Sequence, residues 1–400
     1  MSSSPSMLEG IRIADMTSVI FGPYCTQMLV ELGADVVKVE PPGGDTLRQL
    51  GRPAKTPGMG KLHMTINRGK RSVSWDLKTD EGRERLRKLI SDSDVFIHNV
   101  RGESIARLGF DYESVRSFAP EIVYVHCTGF DSEGPDTGMP AYDDIIQGAC
   151  GIAGLFTEAE GRSEPAYMPL AIADKVAGLY ALQGVLGAII HKLRFGKGQF
   201  VEAPMFESLT AFHLLENFAG AVFPDEPGPV GYRHTSDARR PCRTADGYIC
   251  VAPYNRGSWE RFFEIIGRSE VLEDERLSTP WLRKKNGDLI YGIVEEITPE
   301  RTTAEWLEIM READIPATRF NSLEDLLDDP QLNAVGFFRE RVHPTEGRFL
   351  DLRPAVRFSV LPDPELGLAP HLGEHNDEID AELGFGETAP EGSDRRTGSA

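Results

Sequence analysis

A strand, a tight turn, a helix and a second strand succeed one another within residues 8–40, and the same alternation recurs along the first half of the chain. In LEGIRIADMTSVIFGPYCTQMLVELGADVVKVE, Gly22 and Pro23 stand at a helix start and Gly33 at its end. The Val-rich run that follows has the unbroken apolarity of a strand covered on both faces. RSVSWDL, DVFIH and EIVYVHC read as further strands. Between them lie a helix capped by Thr79, with Asp80 and Glu81 in its first turn, and a short helix after Asp111. A strand reached through a crossover helix lies parallel to its predecessor, so the pattern predicts an α/β fold on a doubly wound, mostly parallel, Rossmann-like sheet.

Helices are expected from about Ala173 to Leu193, stopped by Gly196 and Gly198, and over residues 205–221. PDEPGPVG, at 224–231, then reads as a linker. The expected domains are a large α/β domain, its first part spanning 1–220, and a smaller α+β domain over 225–335. The smaller one holds the hairpin-like ADGYICVAPY and charged helices around Trp259–Ile266, Leu289–Ile297 and Thr303–Glu312. In the last segment, 336–400, LRPAVRFSV reads as a strand, and the terminal APEGSDRRTGSA is too polar to pack.

Net charge narrows the function. The 43 Lys and Arg against 63 Asp and Glu leave -20, which argues against nucleic acid or an anionic membrane as partner, so any bound anion needs a local basic site. NRGKR at 67–71, with Lys78, Arg101 and Arg107 near it in sequence, reads either as a solvated turn or as a site for a polyanionic small molecule. The start MSSSPSMLEG lacks a charged region followed by an apolar one, and no run of about 18 apolar residues is evident, so neither a signal peptide nor a membrane span is expected. Five cysteines, without C-x-x-C spacing, fit a reducing cytoplasm and no structural zinc. Cys127 and Cys150 read as small buried hydrophobes.

Two motif matches fail on their chemistry. Glu40 closes the second strand where a ribose-binding acid would sit, but the first turn, TSVIFGP, lacks the glycines that wrap a pyrophosphate, which argues against NAD. HLGEH at 371–375 spells H-x-x-E-H, a zinc-peptidase pattern, yet Pro370 and Gly373 deny it the regular helix that would put His371 and His375 on one face, so no metal is expected. The most informative acid is Asp174, in the first turn of an almost uncharged helix. Helix-end N–H groups and the dipole are expected to keep it ionised even when partly buried, so it reads either as a helix cap or as a nucleophilic carboxylate.

LEGIRIADMTSVIFGP, ELGADVVKVEPPGGD, NRGKRSVSWDLKT, NVRGESIARLG, IADKVAG, GKGQFVEAPMFESL and APHLGEHNDEI, in that order, resemble the family III CoA-transferases (CaiB/BaiF-like), the group of formyl-CoA transferase and carnitine CoA-transferase. The likeness runs from about residue 8 to 385. It implies a CoA-transferase that binds no permanent cofactor, takes coenzyme A and acyl-CoA as substrates, and hands CoA to a small carboxylic acid through Asp174 as nucleophile. It further implies that the C-terminal segment returns to the large domain and that the protein is a cytoplasmic, interlocked homodimer. By the same resemblance CoA is bound by Ser18, Val19, Phe21, Trp75, Lys78, Asn99, Val100, Arg107 and Leu108, with its phosphates on the basic cluster. Pro41 stands where some members have an arginine, and Phe21 is bulkier than the residue often found there. Tyr142 and Asp143 are implied in the acyl pocket. They occupy the place of the His-Asp pair of α-methylacyl-CoA racemases, the alternative activity, and tyrosine is a poor base near neutral pH. A non-catalytic acyl-CoA-binding protein is a third reading. A dicarboxylic donor would need a cation, for which Arg48, Arg233, Arg239 and Arg240 are candidates by charge.

Overall fold

A computed structural model describes residues 6–50, 55–155, 164–226, 228, 231, 239–360 and 365–385. The chain divides into two compact units, one made of 1–150, 168–212 and 337–400, the other of 151–167 and 213–336. In the first, β1 (Arg12–Met16), α1 (Phe21–Glu31), β2 (Asp35–Glu40), α2 (Lys61–Ile66), β3 (Arg71–Ser74), α3 (Asp80–Ser91) and β4 (Val95–His98) follow in order. Then come α4 (Gly102–Leu108), α5 (Tyr112–Phe118), β5 (Val123–Thr128), α6 (Asp143–Ala149), α7 (Ile172–Phe195), β6 (Gln199–Pro204) and α8 (Met205–Asn217), which runs into the second unit. The six strands order as β3-β2-β1-β4-β5-β6, and every pairing is parallel. This is the doubly wound order of a Rossmann-like sheet.

Local chemistry explains the elements. Thr79 accepts from the Gly82 N–H and Asp111 from the Ser114 N–H, both at 3.1 Å, so each satisfies a donor that the helix start leaves open. In α3, Leu86, Leu89 and Ile90 lie on one face and pack on Val37, Val39, Val73 and Phe96 of the sheet. Each side chain buried in this way contributes about 1.5–3 kcal/mol. Gly196 ends α7 in the left-handed conformation, φ 69°. Helix α7, 24 residues long, contains an 18-residue stretch of mean hydropathy 1.4, long and apolar enough by length and composition to cross a membrane. Here it packs along α1, β5 and β6.

The second unit contains β7 (Cys242–Arg243), β8 (Tyr248–Val251), α9 (Arg256–Ile265), α10 (Pro280–Lys285), α11 (Gly287–Ile297), α12 (Thr303–Glu312), β9 (Ala317–Arg319) and α13 (Pro330–Ala334). Trp259, Phe262 and Phe263 of α9, Ile290 and Val294 of α11, and Trp306 and Met310 of α12 form its core. The strands make an antiparallel sheet. The chain then returns to the first unit as the hairpin β10 (Phe338–His343) and β11 (Gly347–Leu352), and ends in α14 (Asn376–Glu382). LRPAVRFSV is not a strand: β11 stops at Leu352, just where Pro354 would remove an N–H donor from the ladder.

Candidate active site

Strands β1 and β4 are neighbours that lead out in opposite directions across the sheet, so a crevice opens past their carboxyl ends. The segments entering it are stitched together. The Ser18 N–H donates to Asn99 Oδ1 at 2.9 Å, and Asn99 Nδ2 donates back to the Ser18 carbonyl at 2.9 Å. Val19 adopts φ 66°, a left-handed conformation that a β-branched residue resists at a cost of about 1–3 kcal/mol. It is held there by Asp45, whose Oδ1 accepts the Val19 N–H at 3.1 Å. Asp45 is in turn fixed by Lys38 Nζ at 3.0 Å, and Lys38 also donates to the Thr17 carbonyl at 2.7 Å. Burial works against the Lys38 ammonium, but the charges of Asp15 and Asp45 outweigh it and raise its pKa. Gly22 belongs to the same turn, because a Cβ there would lie 2.3 Å from the Thr17 side chain.

Asp174 sits in the first turn of α7, 8% exposed, with the backbone N–H of Phe21 directed at its carboxylate. Helix α7 can approach α1 this closely because Gly178 faces the Phe21 carbonyl, 3.0 Å from where a Cβ would stand. The expectation of a fully ionised Asp174 is corrected. Burial, and next the charge of Asp143, push its pKa up to about 7, against the opposing Lys175 charge and Phe21 N–H. The helix end does not rescue it because Asp143 takes the donor: Asp143 Oδ1 accepts the N–H of Asp174 itself at 3.1 Å. Asp143, not Asp174, therefore satisfies the open helix start. Its other oxygen accepts from Gln147 Nε2 at 2.6 Å, and the buried Gln147 is clamped by the Met168 N–H at 2.7 Å. Gln147 was not visible in sequence as a site residue, since the backbone that clamps it, at Met168, lies in a different segment.

The remaining predicted residues divide. Ser18, Val19, Phe21, Asn99 and Val100 gather at the β1–β4 crevice with Asp174. Two histidines clamp Val100: its N–H donates to His98 Nδ1 at 3.2 Å, and its carbonyl faces His126 Nε2 at 3.2 Å. Tyr124 donates its hydroxyl to Phe110, so His98 must donate through Nε2 to that oxygen at 2.7 Å and is neutral. Burial holds its pKa well below the ordinary value, and the ring stacks on His126 at 4.7 Å. Trp75 lies beyond β3 and is 5% exposed in the core with Ile379 and Leu383. Lys78 and Arg107 are exposed, while Leu108 packs against that core. Tyr142, 68% exposed, precedes α6.

The cations of 67–71 do not present their charge to a ligand. Arg68 pairs with Asp351 at 2.7 Å, Lys70 with Asp15 at 3.3 Å, and Arg71 with Glu378 and Glu382 at 2.9 and 2.6 Å. The phosphates of CoA therefore lose the partner expected for them in 67–71. Arg48 is also committed: it forks onto Glu40 through two 2.6 Å bonds, both side chains buried. Glu40, held at about 2 by Arg48 and Lys38 in spite of its burial, is thereby turned away from any ribose. Arg240 pairs with Glu295 at 2.6 Å, Arg239 donates to the Tyr254 hydroxyl at 3.1 Å, and Arg233 lies outside the described residues.

The two histidines of HLGEH diverge. His375 Nδ1 accepts the Ser72 N–H at 3.1 Å, whereas His371 gathers with His343 and Glu346, their ligating atoms within 4.8 Å of one another. The Thr345 hydroxyl stands among those three, 2.8 Å from Glu346, 2.9 Å from His371 and 3.2 Å from His343.

Residues 8–376 match the profile of CoA-transferase family III, and the chain belongs to that family, which makes it a CoA-transferase. Among its relatives, the succinate–glutarate CoA-transferase of Agrobacterium fabrum is 33% identical over 384 residues, covering 94% of this chain and 95% of its own. The formyl-CoA:oxalate CoA-transferase of Streptomyces coelicolor is 31% identical, covering 95% and 96%. A crystal structure of a CaiB/BaiF family protein from Brucella suis superposes with a TM-score of 0.80 at 31% identity, over 95% of this chain and 100% of that one.

Proposed function

We propose that the enzyme moves CoA from an acyl-CoA donor to a carboxylic acid through covalent intermediates on Asp174. The single observation that carries the reading is the environment of that carboxylate: poorly hydrated, with its pKa pushed up to about 7, at the sheet crevice and facing the Phe21 N–H. A carboxylate near its pKa at neutral pH, stripped of water, is a competent nucleophile. An Asp174 oxygen attacks the thioester carbonyl, the C–S bond breaks, and an aspartyl acyl anhydride forms as CoA thiolate leaves. The thiolate attacks the aspartyl carbonyl, releasing the donor acid and leaving an aspartyl-CoA thioester. The acceptor carboxylate repeats the two steps in reverse order, so no net proton or ATP is needed. The Phe21 N–H is placed to stabilise the oxyanion formed at the aspartyl carbonyl.

Coenzyme A on this reading is a substrate, held at the β1–β4 crevice by Ser18, Val19, Phe21, Asn99 and Val100, with Trp75, Lys78, Arg107 and Leu108 toward its adenosine end. Tyr142 and Asp143 line the acyl side. Because relatives are named for succinate, glutarate and oxalate, short dicarboxylic acids are the first acceptors to screen. The enzyme works as a cytoplasmic homodimer with interlocked subunits. Support comes from Leu179, Tyr180, Ile190, Leu193 and Phe195, apolar side chains that α7 leaves uncovered in a single chain. The deciding experiment incubates the protein with succinyl-CoA and glutarate. Acyl exchange, with an enzyme–CoA adduct in the mass spectrum that Asp174→Ala abolishes, is the expected result. Solvent deuterium entering the α-carbon without exchange would replace the reading with a racemase.

A further inference from the structure

The second unit holds a cavity of about 160 Å³ that shares no lining residue with the Asp174 crevice. Its walls combine the rings of Tyr254, Trp259 and Tyr291 with the cations Arg239, Arg283 and Lys284, contributed by the 239–254 segment and by α9, α10 and α11. Every charged side chain lining it, among the described residues, is positive, within a chain whose net charge is -20. Arg239 stands 5.5 Å over the Tyr254 ring and 6.0 Å from the Tyr291 ring, and donates to the Tyr254 hydroxyl at 3.1 Å. Arg283 donates to the Leu277 carbonyl at 2.9 Å. A guanidinium carries five N–H donors in a planar fork, so these bonds orient each group and leave donors for a ligand.

We infer that this cavity is a second anion site, which takes a small planar carboxylic acid. Guanidinium forks match a carboxylate, and aromatic walls match a flat apolar body. A volume of about 160 Å³ suits a small acid, being below the roughly 300–1,000 Å³ of pockets for drug-sized ligands. The inference stands on this cavity and not on the chemistry assigned to Asp174, so each can fail without the other.

Titration calorimetry on the full chain tests it, with benzoate as the probe and cyclohexanecarboxylate and inorganic phosphate as controls. Benzoate is expected to bind the wild type and Asp174→Ala equally, and more tightly than either control. Arg239→Ala and Arg283→Ala should each weaken it about tenfold, the loss of one charge-assisted fork, with partial recovery in Arg239→Lys. Arg239 and Tyr254 are exposed, so Arg239→Ala and Tyr254→Ala keep the fold and serve if Arg283→Ala does not. Binding unchanged in these variants, binding lost in Asp174→Ala, phosphate binding as tightly as benzoate, or no binding at all would each overturn the assignment.

Discussion

At the scale of single residues, the behaviour of Asp174 follows from competition for one backbone donor. A carboxylate in the first turn of a helix is normally stabilised there, but Asp143 occupies the Asp174 N–H and adds a like charge, while burial removes water. Transfer should therefore rise with pH and level off above about 7, and Asp143→Asn should move that limb to lower pH, as read from kcat/KM profiles. The stability effect has the opposite sense. From the ordinary 3.8 to the folded value of about 7, the folded chain retains a proton that the unfolded chain has lost, so stability falls as pH rises through that window. Asp174→Asn removes the dependence, and chemical denaturation at about pH 8 should find it more stable than the wild type, relative to acid pH, by on the order of 2–4 kcal/mol. The Glu40–Arg48 pair gives a contrasting case. Arg48→Met strands a buried carboxylate and should cost about 3–5 kcal/mol in urea unfolding, most of it recovered in the double variant with Glu40→Gln.

At the scale of elements, the first turn is the most constrained piece of the large unit. It must reach the sheet crevice, carry Val19 at positive φ and let α1 start within contact of Thr17. Gly22→Ala should destabilise the fold by about 1–3 kcal/mol, measured by thermal unfolding, because the added methyl has no room beside a Thr17 side chain bonded to Asp15. Elements were legible where a local signal defined them. Thr79, Asp111, Gly196 and the short apolar runs marked α3, α5, α7 and β1–β5 because caps and local apolar patterning act within a few residues. LRPAVRFSV misled because its apolar alternation has no partner strand, whereas β10 and β11 are strands by virtue of pairing with each other.

At the scale of the molecule, the return segment ties the two ends of the chain together. Arg12 and Arg71 both meet Glu382, Arg85 meets Asp380 at 2.9 Å, and Arg48 donates to the Pro370 carbonyl at 3.1 Å. Ile379 and Leu383 complete the core under β2 and β3. Deleting residues 366–385 should abolish cooperative unfolding in circular dichroism, since it opens that core and removes the Asp380 and Glu382 partners of Arg12, Arg71 and Arg85. Sedimentation is expected to give a dimer mass, with no monomer appearing on dilution short of unfolding.

Read alone, the residues determined the class of fold and the family to which the motifs point, and left Asp174 as the acid to test, because periodicity, caps and motif order act over short stretches of chain. Long-range pairing decided the rest. Lys70 and Arg71 look in sequence like a phosphate site and become internal ion pairs once Asp15, Asp35 and Glu382 are folded against them. His98, Gln147, Asp45 and Lys38 look ordinary and become the parts that hold the crevice in shape. The sign of -20 showed that any anion must be held locally; which cations remain for one is settled only by the carboxylates that folding brings beside the others, since charge pairing depends on distance in space and not on separation along the chain.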